Sequence, residues 1–462
     1  MNHSVSSLEA LVRPLSGACS CGREHRTGLQ HLHIGEGAIE HLTSTLRLMK
    51  VKTPFVVSDS NTEAAAGRQV KSLLKAAGID FGECVLQSPP GQMITPDEST
   101  TGTLMLAFPS TCDGILSVGA GVITDCCKIL SKISGLPQLA VATAPSMDGF
   151  ASDSASMLRD GIKVTITTPC PVAILCDTEI MATANDDMLK AGLGDMAAKM
   201  VSVAEWRISH LVTGEYYCDF VAGLMRSAVK KCMDCAPGLL SRKPGALLAM
   251  AEGLVLSGVA MSYAKVSRPA SGLEHYFSHV WDMMALDRGT EHALHGLQVG
   301  VGTVLSLQLF DWLMEFPHAE SLPPSSQKHP DPVSFAKWVG ESFGKSALGV
   351  LTGVERFGLN DPQARQQRRQ IIRDHWEQIH TIMLDELADR KGLLLAMEAA
   401  ELPLTPLDLG VSQADTATAF IGSRIIRDKY LLSTLLWDLG LTREALNIIV
   451  PSEAGKQTGG HI

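Results

Sequence analysis

Four of the 15 histidines fall within 21 positions of the sequence, in an arrangement suited to chemistry on one helical face. His275 and His279 are four residues apart in a run with a helical pattern, and His292 and His295 follow. Residues four apart on a helix have Cβ atoms about 5–6 Å apart. One imidazole can therefore hold a metal ion while its neighbour contacts whatever the metal binds. These histidines make a metal-dependent enzyme the first hypothesis.

A carboxylate ligand could come from the segment Gly192-Leu-Gly-Asp195, which lies at a predicted helix start. One carboxylate and two imidazoles leave a coordination position open, as a catalytic metal requires. The plain structural alternative is that Asp195 caps the helix, because aspartate is a favoured N-cap residue. The sequence alone leaves both interpretations open.

The elements that would position these residues divide the chain into two halves. Short apolar runs at 54–59, 114–119, 139–143 and 172–177 alternate with helical patterns in the first 180 residues. This alternation predicts a parallel sheet covered on both faces, with ligands beyond the carboxyl ends of the strands. Long helical patterns follow, at 185–210, 217–235, 245–263 and 273–286. We predict an α/β Rossmann-like domain over residues 1–180 and an all-α domain over residues 181–462.

Three predicted strand ends carry residues that suit a nucleotide. An acid such as Asp59 at a strand end commonly binds an adenosine ribose, although it can equally cap the next helix. The stretch 119–125 has small residues that allow close approach of a phosphate at a helix start, but it is neither GxGxxG nor a phosphate-binding P-loop. The stretch 143–152 is rich in hydroxyls and small residues, and a capped loop is its plain alternative.

Charge and composition restrict the classes of binding partner and the cellular compartment that the sequence predicts. A net charge of −10 and a pI near 5.8 argue against nucleic acid, which requires clustered lysine and arginine. The first five residues lack the pattern of a signal peptide, which predicts a cytoplasmic protein with reduced cysteines. The apolar run 246–261 is too short for a membrane span and contains Glu252. We expect no membrane span.

The sequence near its beginning contains Cys19-Ser-Cys21-Gly-Arg-Glu-His25. Three soft ligands within seven residues are unusual, but a structural zinc site normally has four. The sequence therefore does not favour a metal ion at this segment.

The order of the motifs resembles that of the iron-containing alcohol dehydrogenase and dehydroquinate synthase-like superfamily. The segment 119–128 resembles its cofactor loop, GGGSxxDxxK, and four further motifs follow in the family's order: 146–152, 192–195, 271–279 and 295–300. The versions SMDGFAS and EHxxSH look most like the glycerol-1-phosphate dehydrogenase branch. The resemblance covers roughly residues 28 to 310 and implies a dehydroquinate synthase-like fold.

This resemblance implies roles for individual residues. The metal ligands would be Asp195, His275 and His295. Asp148 and His279 would face the substrate together with Asp195, and these five residues would form the catalytic set. The implied cofactor-lining residues are Asp59, Gly119, Ala120, Gly121, Val122, Ile123, Asp125, Thr143, Ala144, Pro145, Ser146 and Ser152.

The implied reaction is the reversible reduction of dihydroxyacetone phosphate to sn-glycerol 1-phosphate by NADH or NADPH. It would require one divalent metal ion, for which zinc is the first choice and nickel or iron are alternatives. The resemblance also implies a homo-oligomer. A glycerol dehydrogenase acting on unphosphorylated glycerol is the runner-up, and a dehydroquinate synthase is a more distant alternative.

Two departures from the family pattern bear on the site. The triple glycine is Gly119-Ala120-Gly121 here, so we expect a negative φ at Ala120, and the serine that follows is replaced by Val122. His292 is a rival to His295 as a metal ligand, but the glycine after His295 matches the family pattern. Asp59 would repel a ribose 2′-phosphate and favours NAD over NADP.

Overall fold

A computed structural model describes residues 19–87, 94–159, 162–323 and 331–450 of the 462-residue chain. Within them the eight strands are β1 (His31–Gly35), β2 (Pro54–Asp59), β3 (Gly82–Leu86), β4 (Gly114–Gly119), β5 (Gln138–Ala142), β6 (Ser154–Arg159), β7 (Ile162–Thr167) and β8 (Ala173–Asp177). Six strands form one parallel sheet in the order β1-β8-β5-β4-β2-β3, and β6 and β7 form an antiparallel hairpin.

The parallel sheet is buried on both faces, as its apolar strands predict. Side chains alternate across β2, so Val56 belongs to one core cluster whereas Phe55 and Val57 belong to the other. Strand β4 repeats this division, with Leu116 in the first cluster and Ile115 in the second. The two apolar faces are covered by helices, as in other sheets built from strand–helix–strand units.

The helices that alternate with the strands are α1 (Leu42–Leu48), α2 (Ser60–Thr62), α3 (Arg68–Ala76), α4 (Glu98–Ala107), α5 (Gly121–Ser134) and α6 (Thr178–Met181). A π-helical turn, Glu63–Gly67, joins α2 to α3. The β6–β7 hairpin, β1 and β3 were not among the predicted elements. The burial patterns of β1, β3 and β6 lack the continuous buried run that marks the central strands.

The remainder of the described chain is helical. The first of these helices are α7 (Asp186–Thr213), α8 (Asp219–Cys235), α9 (Pro244–Ala264), α10 (Leu273–Arg288) and α11 (His295–Met314). They are followed by α12 (Pro332–Phe343), α13 (Ala347–Phe357), α14 (Pro362–Asp374), α15 (Trp376–Glu386), α16 (Arg390–Ala399), α17 (Gln413–Ser423), α18 (Leu432–Leu439) and α19 (Thr442–Ile449). The predicted fold class, a parallel α/β half followed by a helical half, is confirmed.

Two compact units are distinguished by their internal contacts. Unit 1 comprises Met1–Met196 and Cys218–Ser267, and unit 2 comprises Ala197–Tyr217 and Arg268–Ile462. Helices α8 and α9 therefore belong with the sheet, and α7 contributes residues to both units. A division into domains at residue 180 stays a prediction.

Two helices of the described chain are long and apolar enough to cross a membrane, namely α9 and α11. Their most apolar windows are 78% and 72% buried inside the protein, respectively. Buried core helices commonly have this length and composition.

Candidate functional site

The predicted cofactor-lining segments meet at one edge of the sheet in unit 1. Strand β4 pairs in parallel with both β2 and β5, so the carboxyl ends of all three strands lie side by side. Asp59 ends β2, Gly119 ends β4, and Thr143 follows β5 and donates its backbone N–H to the Gly119 carbonyl at 3.3 Å. Ligands of open α/β sheets bind at this edge.

The loop after β4 turns directly into α5, which begins at Gly121. Its N-cap, Ala120, has φ −96°, so the negative φ expected at this position is confirmed. The methyl group is thus accommodated without the left-handed backbone that would require glycine. The first turn of α5 presents backbone N–H groups and the positive end of the helix dipole, which suit a phosphate.

Asp59 acts as an N-cap in this structure. Its Oδ1 accepts hydrogen bonds from the backbone N–H groups of Asn61 and Thr62, both at 2.8 Å. The Thr62 hydroxyl accepts from the Asp59 N–H at 2.8 Å and completes a capping box. Asp59 therefore caps α2, which was one of the two roles that the sequence left open. Its contact with an adenosine ribose stays a prediction.

A buried lysine that the sequence interpretation did not assign organises the next loop. Lys128, in α5, is fully buried, and its Nζ donates to the Ser152 hydroxyl at 3.0 Å, to the Ser154 carbonyl at 2.9 Å and to the Gly149 carbonyl. Ser152 in turn donates to the loop backbone. The helix that begins at the glycine loop thus fixes the conformation of the segment 149–154. The motif contained this lysine, but a sequence does not reveal that its ammonium group is buried.

Asp125 points towards the β6–β7 hairpin. Its Oδ2 accepts the Ser156 backbone N–H at 3.0 Å, and its Oδ1 lies 3.5 Å from Lys128 Nζ. Burial raises the pKa of this carboxyl, although the Lys128 charge opposes the shift. Its observed contacts are therefore structural, and its role towards a cofactor stays a prediction.

The two predicted catalytic carboxylates of unit 1 are neighbours. Asp195, in α7, is 1% exposed, and its Oδ2 accepts the backbone N–H of Asp148 at 3.0 Å. Asp148 Oδ2 accepts the Ser257 hydroxyl of α9 at 2.7 Å. Asp195 lies inside α7 rather than at its first residue, so it is not the N-cap that the sequence left open.

Close packing at Gly192 brings α7 to the loop that contains Asp148. A Cβ atom at Gly192 would stand 1.8 Å from the Pro145 carbonyl oxygen, so only glycine permits this approach. Pro145 lies in the segment 143–146 after β5, which is part of the predicted cofactor edge. The GLGD motif therefore supplies both a carboxylate and the contact that positions it.

Three predicted histidines lie together in unit 2. His275 and His279 are buried on α10, and His295 is the first residue of α11. The ring centroids are 5.3 Å apart for His275 and His295, 5.9 Å for His279 and His295, and 6.4 Å for His275 and His279. The helices approach closely here because Gly302 of α11 packs against the backbone of α10: a Cβ there would stand 2.4 Å from the Glu274 carbonyl oxygen.

The two predicted ligand histidines are oriented through their Nδ1 atoms. His275 Nδ1 lies 2.9 Å from Glu274 Oε1, and His295 Nδ1 lies 2.9 Å from the Ser278 hydroxyl. The Ser278 hydroxyl donates its hydrogen to Gln298 Oε1 at 2.6 Å, so it accepts the hydrogen of His295. Both imidazoles would then offer Nε2 to a metal, the arrangement that orients ligand histidines in metal sites.

His292 does not share this arrangement. It lies in the loop between α10 and α11, is exposed at 35% of its side chain, and has its Nδ1 3.4 Å from Asp282 Oδ1. His295, three residues later, is the first residue of α11, whereas His292 lies outside that helix. The four histidines that looked equivalent in the sequence thus have two different environments.

A buried carboxylate behind His275 was not predicted. Glu205, in the part of α7 that belongs to unit 2, accepts the backbone N–H groups of Leu273 and Leu432 at 3.1 Å. Burial, reinforced by the charge of Glu274, raises the pKa of Glu205 to about 8. Burial thus favours the protonated form of Glu205, whose hydrogen bond from the Leu273 N–H supports the start of α10. The only feature of the sequence that could have indicated this buried carboxylate is the presence of a glutamate in an apolar helical stretch.

Comparison with known sequences identifies the family. The family described as iron-containing alcohol dehydrogenase matches residues 33–185. The glycerol-1-phosphate dehydrogenase (NAD(P)+) of Halalkalibacterium halodurans is 36% identical over 311 residues, which cover 67% of this chain and 77% of that protein. This chain belongs to the iron-containing alcohol dehydrogenase family. It is an oxidoreductase of the alcohol dehydrogenase type, as the motif order implied.

Other members of the family agree with this assignment. The glycerol-1-phosphate dehydrogenase (NAD(P)+) of Bacillus licheniformis is 32% identical over 360 residues, which cover 76% of this chain and 90% of that protein. The solved structure of a probable glycerol dehydrogenase from Sinorhizobium meliloti has a TM-score of 0.60 at 15% identity and covers 92% of this chain and 97% of that one. The glycerol dehydrogenase of Schizosaccharomyces pombe has a TM-score of 0.58 at 16% identity, covering 94% and 92%, respectively. These two structures establish the fold.

The iron-containing alcohol dehydrogenase family and the names of the relatives imply a nicotinamide cofactor and a metal ion. The donor chemistry of the chain fits both. His275 and His295 have the oriented Nδ1 hydrogen bonds of metal-bound imidazoles, and Asp195 is a buried carboxylate. The strand–helix turn at Gly121 suits a dinucleotide phosphate.

Proposed function

We propose that this protein catalyses the reversible NAD(P)H-dependent reduction of dihydroxyacetone phosphate to sn-glycerol 1-phosphate. Relatives named glycerol-1-phosphate dehydrogenase support this substrate, with identities of 31–36% over 60–76% of this chain. The geometric observation that carries the proposal is the pair His275 and His295, whose ring centroids are 5.3 Å apart and whose Nδ1 atoms both have hydrogen-bond partners.

The proposed metal ligands are Asp195, His275 and His295, with zinc as the first choice and nickel or iron as alternatives. When bound, the metal would act as a Lewis acid on the C2 carbonyl, and the reduced nicotinamide would supply the hydride. Glu274 and Ser278 hold the two imidazoles in the tautomer that carries its lone pair on Nε2. Metal binding requires this neutral form.

His279 and Asp148 are the proposed substrate contacts. His279 would deliver the proton that the C2 oxygen needs to become a hydroxyl, a role for which an imidazole is suited near neutral pH. Asp148 is held by the Ser257 hydroxyl, and its carboxylate would accept a hydrogen bond from a substrate hydroxyl. Hydride at C2 and a proton at its oxygen together convert the ketone into the secondary alcohol.

The cofactor would lie along the edge formed by Asp59, the loop 119–125, the segment 143–146 and Ser152. We further propose that the protein is cytoplasmic and self-associates, and that Asp59 favours NAD over NADP. A carboxylate at the adenosine ribose would repel the additional 2′-phosphate of NADP.

The decisive experiment measures NADH oxidation by the metal-loaded protein with dihydroxyacetone phosphate and, separately, with dihydroxyacetone. We expect turnover with the phosphorylated ketone and a product with the configuration of sn-glycerol 1-phosphate. Equal or faster turnover of dihydroxyacetone would favour the glycerol dehydrogenase alternative. Parallel loading with zinc, nickel and iron identifies the metal that supports the highest rate.

A further inference from the structure

Four metal-binding side chains converge in unit 1, in a cluster that contains neither the predicted catalytic ligands nor the cofactor edge. Cys19, Cys21, His25 and Cys218 each offer one donor atom, and these four atoms all lie within 4.8 Å of one another. The short segment before β1 supplies three of the donors. The fourth, Cys218, is the N-cap residue of α8, 193 positions after His25.

Three of the six distances between the donor atoms match the edges of a metal-centred tetrahedron, and the other three are no longer than 4.8 Å. Cys19 Sγ and Cys218 Sγ are 3.7 Å apart, and His25 Nε2 lies 3.5 Å from Cys21 Sγ and 3.4 Å from Cys218 Sγ. With Zn–S near 2.3 Å and Zn–N near 2.0–2.1 Å, tetrahedral geometry gives about 3.8 Å between two sulfurs and about 3.6 Å between sulfur and nitrogen. The observed separations thus agree with that geometry to within about 0.2 Å.

The orientation of His25 is an independent observation that points to a metal. Its ring is 2% exposed and lies between the rings of Phe220 and Tyr263, with centroid distances of 5.7 and 5.5 Å. Its Nδ1 is 3.2 Å from the Tyr263 backbone carbonyl, which can only accept a hydrogen bond. The hydrogen therefore resides on Nδ1, and the lone pair of Nε2 points at the sulfurs. A carbonyl at Nδ1 is the usual partner of a metal-bound histidine.

We propose that Cys19, Cys21, His25 and Cys218 bind a structural zinc ion. Three thiolates and one imidazole form one of the standard closed ligand sets for zinc, with no position left open for substrate. Soft thiolates also select zinc over the harder divalent ions. This site is separate from the proposed catalytic metal, whose ligands include no sulfur.

The sequence interpretation disfavoured this site because it counted only three ligands near the beginning of the chain. Folding supplies the missing ligand from the start of α8, which follows the sheet and the whole of α7 in the sequence. A zinc ion here would attach the segment 19–25 to α8, while the His25–Tyr263 hydrogen bond attaches it to the end of α9. The expected role is therefore stabilisation of unit 1 rather than catalysis.

The test uses the full-length protein, purified under reducing conditions and loaded with Co²⁺ in place of zinc. Cobalt bound by thiolates gives a sulfur-to-metal charge-transfer band in the near ultraviolet, which an Asp–His–His site cannot produce because it contains no sulfur. We expect two bound metal equivalents in the wild-type protein. His275→Ala should lose one equivalent and keep the sulfur–cobalt band, whereas Cys218→Ser should lose the band and lower the melting temperature.

Two further variants control for misfolding and for non-specific thiol binding. His25→Cys converts the ligand set to four thiolates and should retain the metal with a more intense band. Cys235→Ser removes a half-buried cysteine of α8 outside the cluster and should change nothing.

Two results would overturn the proposal. One is the absence of a sulfur–cobalt band in the loaded wild-type protein while the metal bound at His275 is retained. The other is a titration of the denatured, unreduced protein that finds nine thiols rather than the eleven in the sequence, which would indicate a Cys19–Cys218 disulfide instead. All eleven cysteines lie in the described residues, and none of them is in a disulfide bond. Neither result would affect the proposed dehydrogenase activity.

Discussion

His295 donates the hydrogen on its Nδ1 to the hydroxyl oxygen of Ser278, at a distance of 2.9 Å. Ser278 is one turn from His275 on α10, and its own hydrogen is committed to Gln298. The Ser278 hydroxyl thus decides which nitrogen of His295 can bind a metal.

Ser278→Ala should weaken metal binding by about 10–100-fold without unfolding the protein, because the hydrogen bond that orients the imidazole is lost. Competition with a chromophoric chelator measures the dissociation constant of the catalytic metal. Ser306→Ala is the matched control, since Ser306 is a buried serine that bonds only within α11. Equal metal affinities of the two variants would contradict the positioning role.

His275→Ala and His279→Ala should separate metal binding from proton transfer. We expect His275→Ala to lose the catalytic metal and activity together. His279→Ala should keep the metal and lower kcat by about 10²–10⁴-fold, the usual contribution of a general acid. Metal content and kcat measured on the same preparations provide the readout. Metal loss in His279→Ala with retention in His275→Ala would reverse the two assignments.

Asp59→Asn should shift the cofactor preference towards NADPH. Asparagine preserves the N-cap but removes the charge. A repulsion of roughly 1–2 kcal/mol, expected for two solvent-exposed charges about 4–5 Å apart, corresponds to about a tenfold change in relative kcat/KM. Asp361→Asn, at the N-cap of α14, removes a charge with the same capping pattern and should leave the preference unchanged. An unaltered NADPH-to-NADH ratio in Asp59→Asn would exclude the ribose role.

Glu205→Gln should flatten the pH dependence of stability. The pKa of Glu205 is raised from 4.5 to about 8, mainly by burial, so between these values the folded state holds a proton that the unfolded state releases. Stability therefore falls as pH rises through this window, by up to about 1.4 kcal/mol per unit. Glutamine removes that contribution. Urea unfolding at several pH values measures it, and parallel profiles for the two proteins would refute the prediction.

Gly192→Ala should destabilise the protein by about 3 kcal/mol or more, because the new methyl group would collide with the Pro145 carbonyl. Gly223→Ala is the matched control. Gly223 also lies in a helix of unit 1, but a Cβ atom there would have open space around it. Alanine at this position should therefore stabilise the protein by roughly 0.5–1 kcal/mol. Urea midpoints provide the comparison. An unchanged urea midpoint for Gly192→Ala would mean that α7 can shift away from the loop without a loss of stability.

Local sequence patterns were sufficient to predict the central strands and part of the candidate site. Strands that are buried on both faces have continuous apolar runs in the sequence. For this reason β2, β4, β5 and β8 were predicted within about one residue of their observed bounds. The spacing of His275 and His279 requires a common helix face. These inferences succeeded because each depends on residues close together in the sequence.

The tertiary structure decided what depends on distant contacts. Only folding separates His292 from His295, buries Lys128 beneath the loop 149–154, and raises the pKa of Glu205. Helices α14 and α15 are separated by a break at His375. Cys218 likewise joins Cys19, Cys21 and His25 only because α8 begins beside the segment that precedes β1. The burial of an individual polar side chain and the proximity of residues distant in the sequence are properties of the packed chain, and no local pattern encodes them.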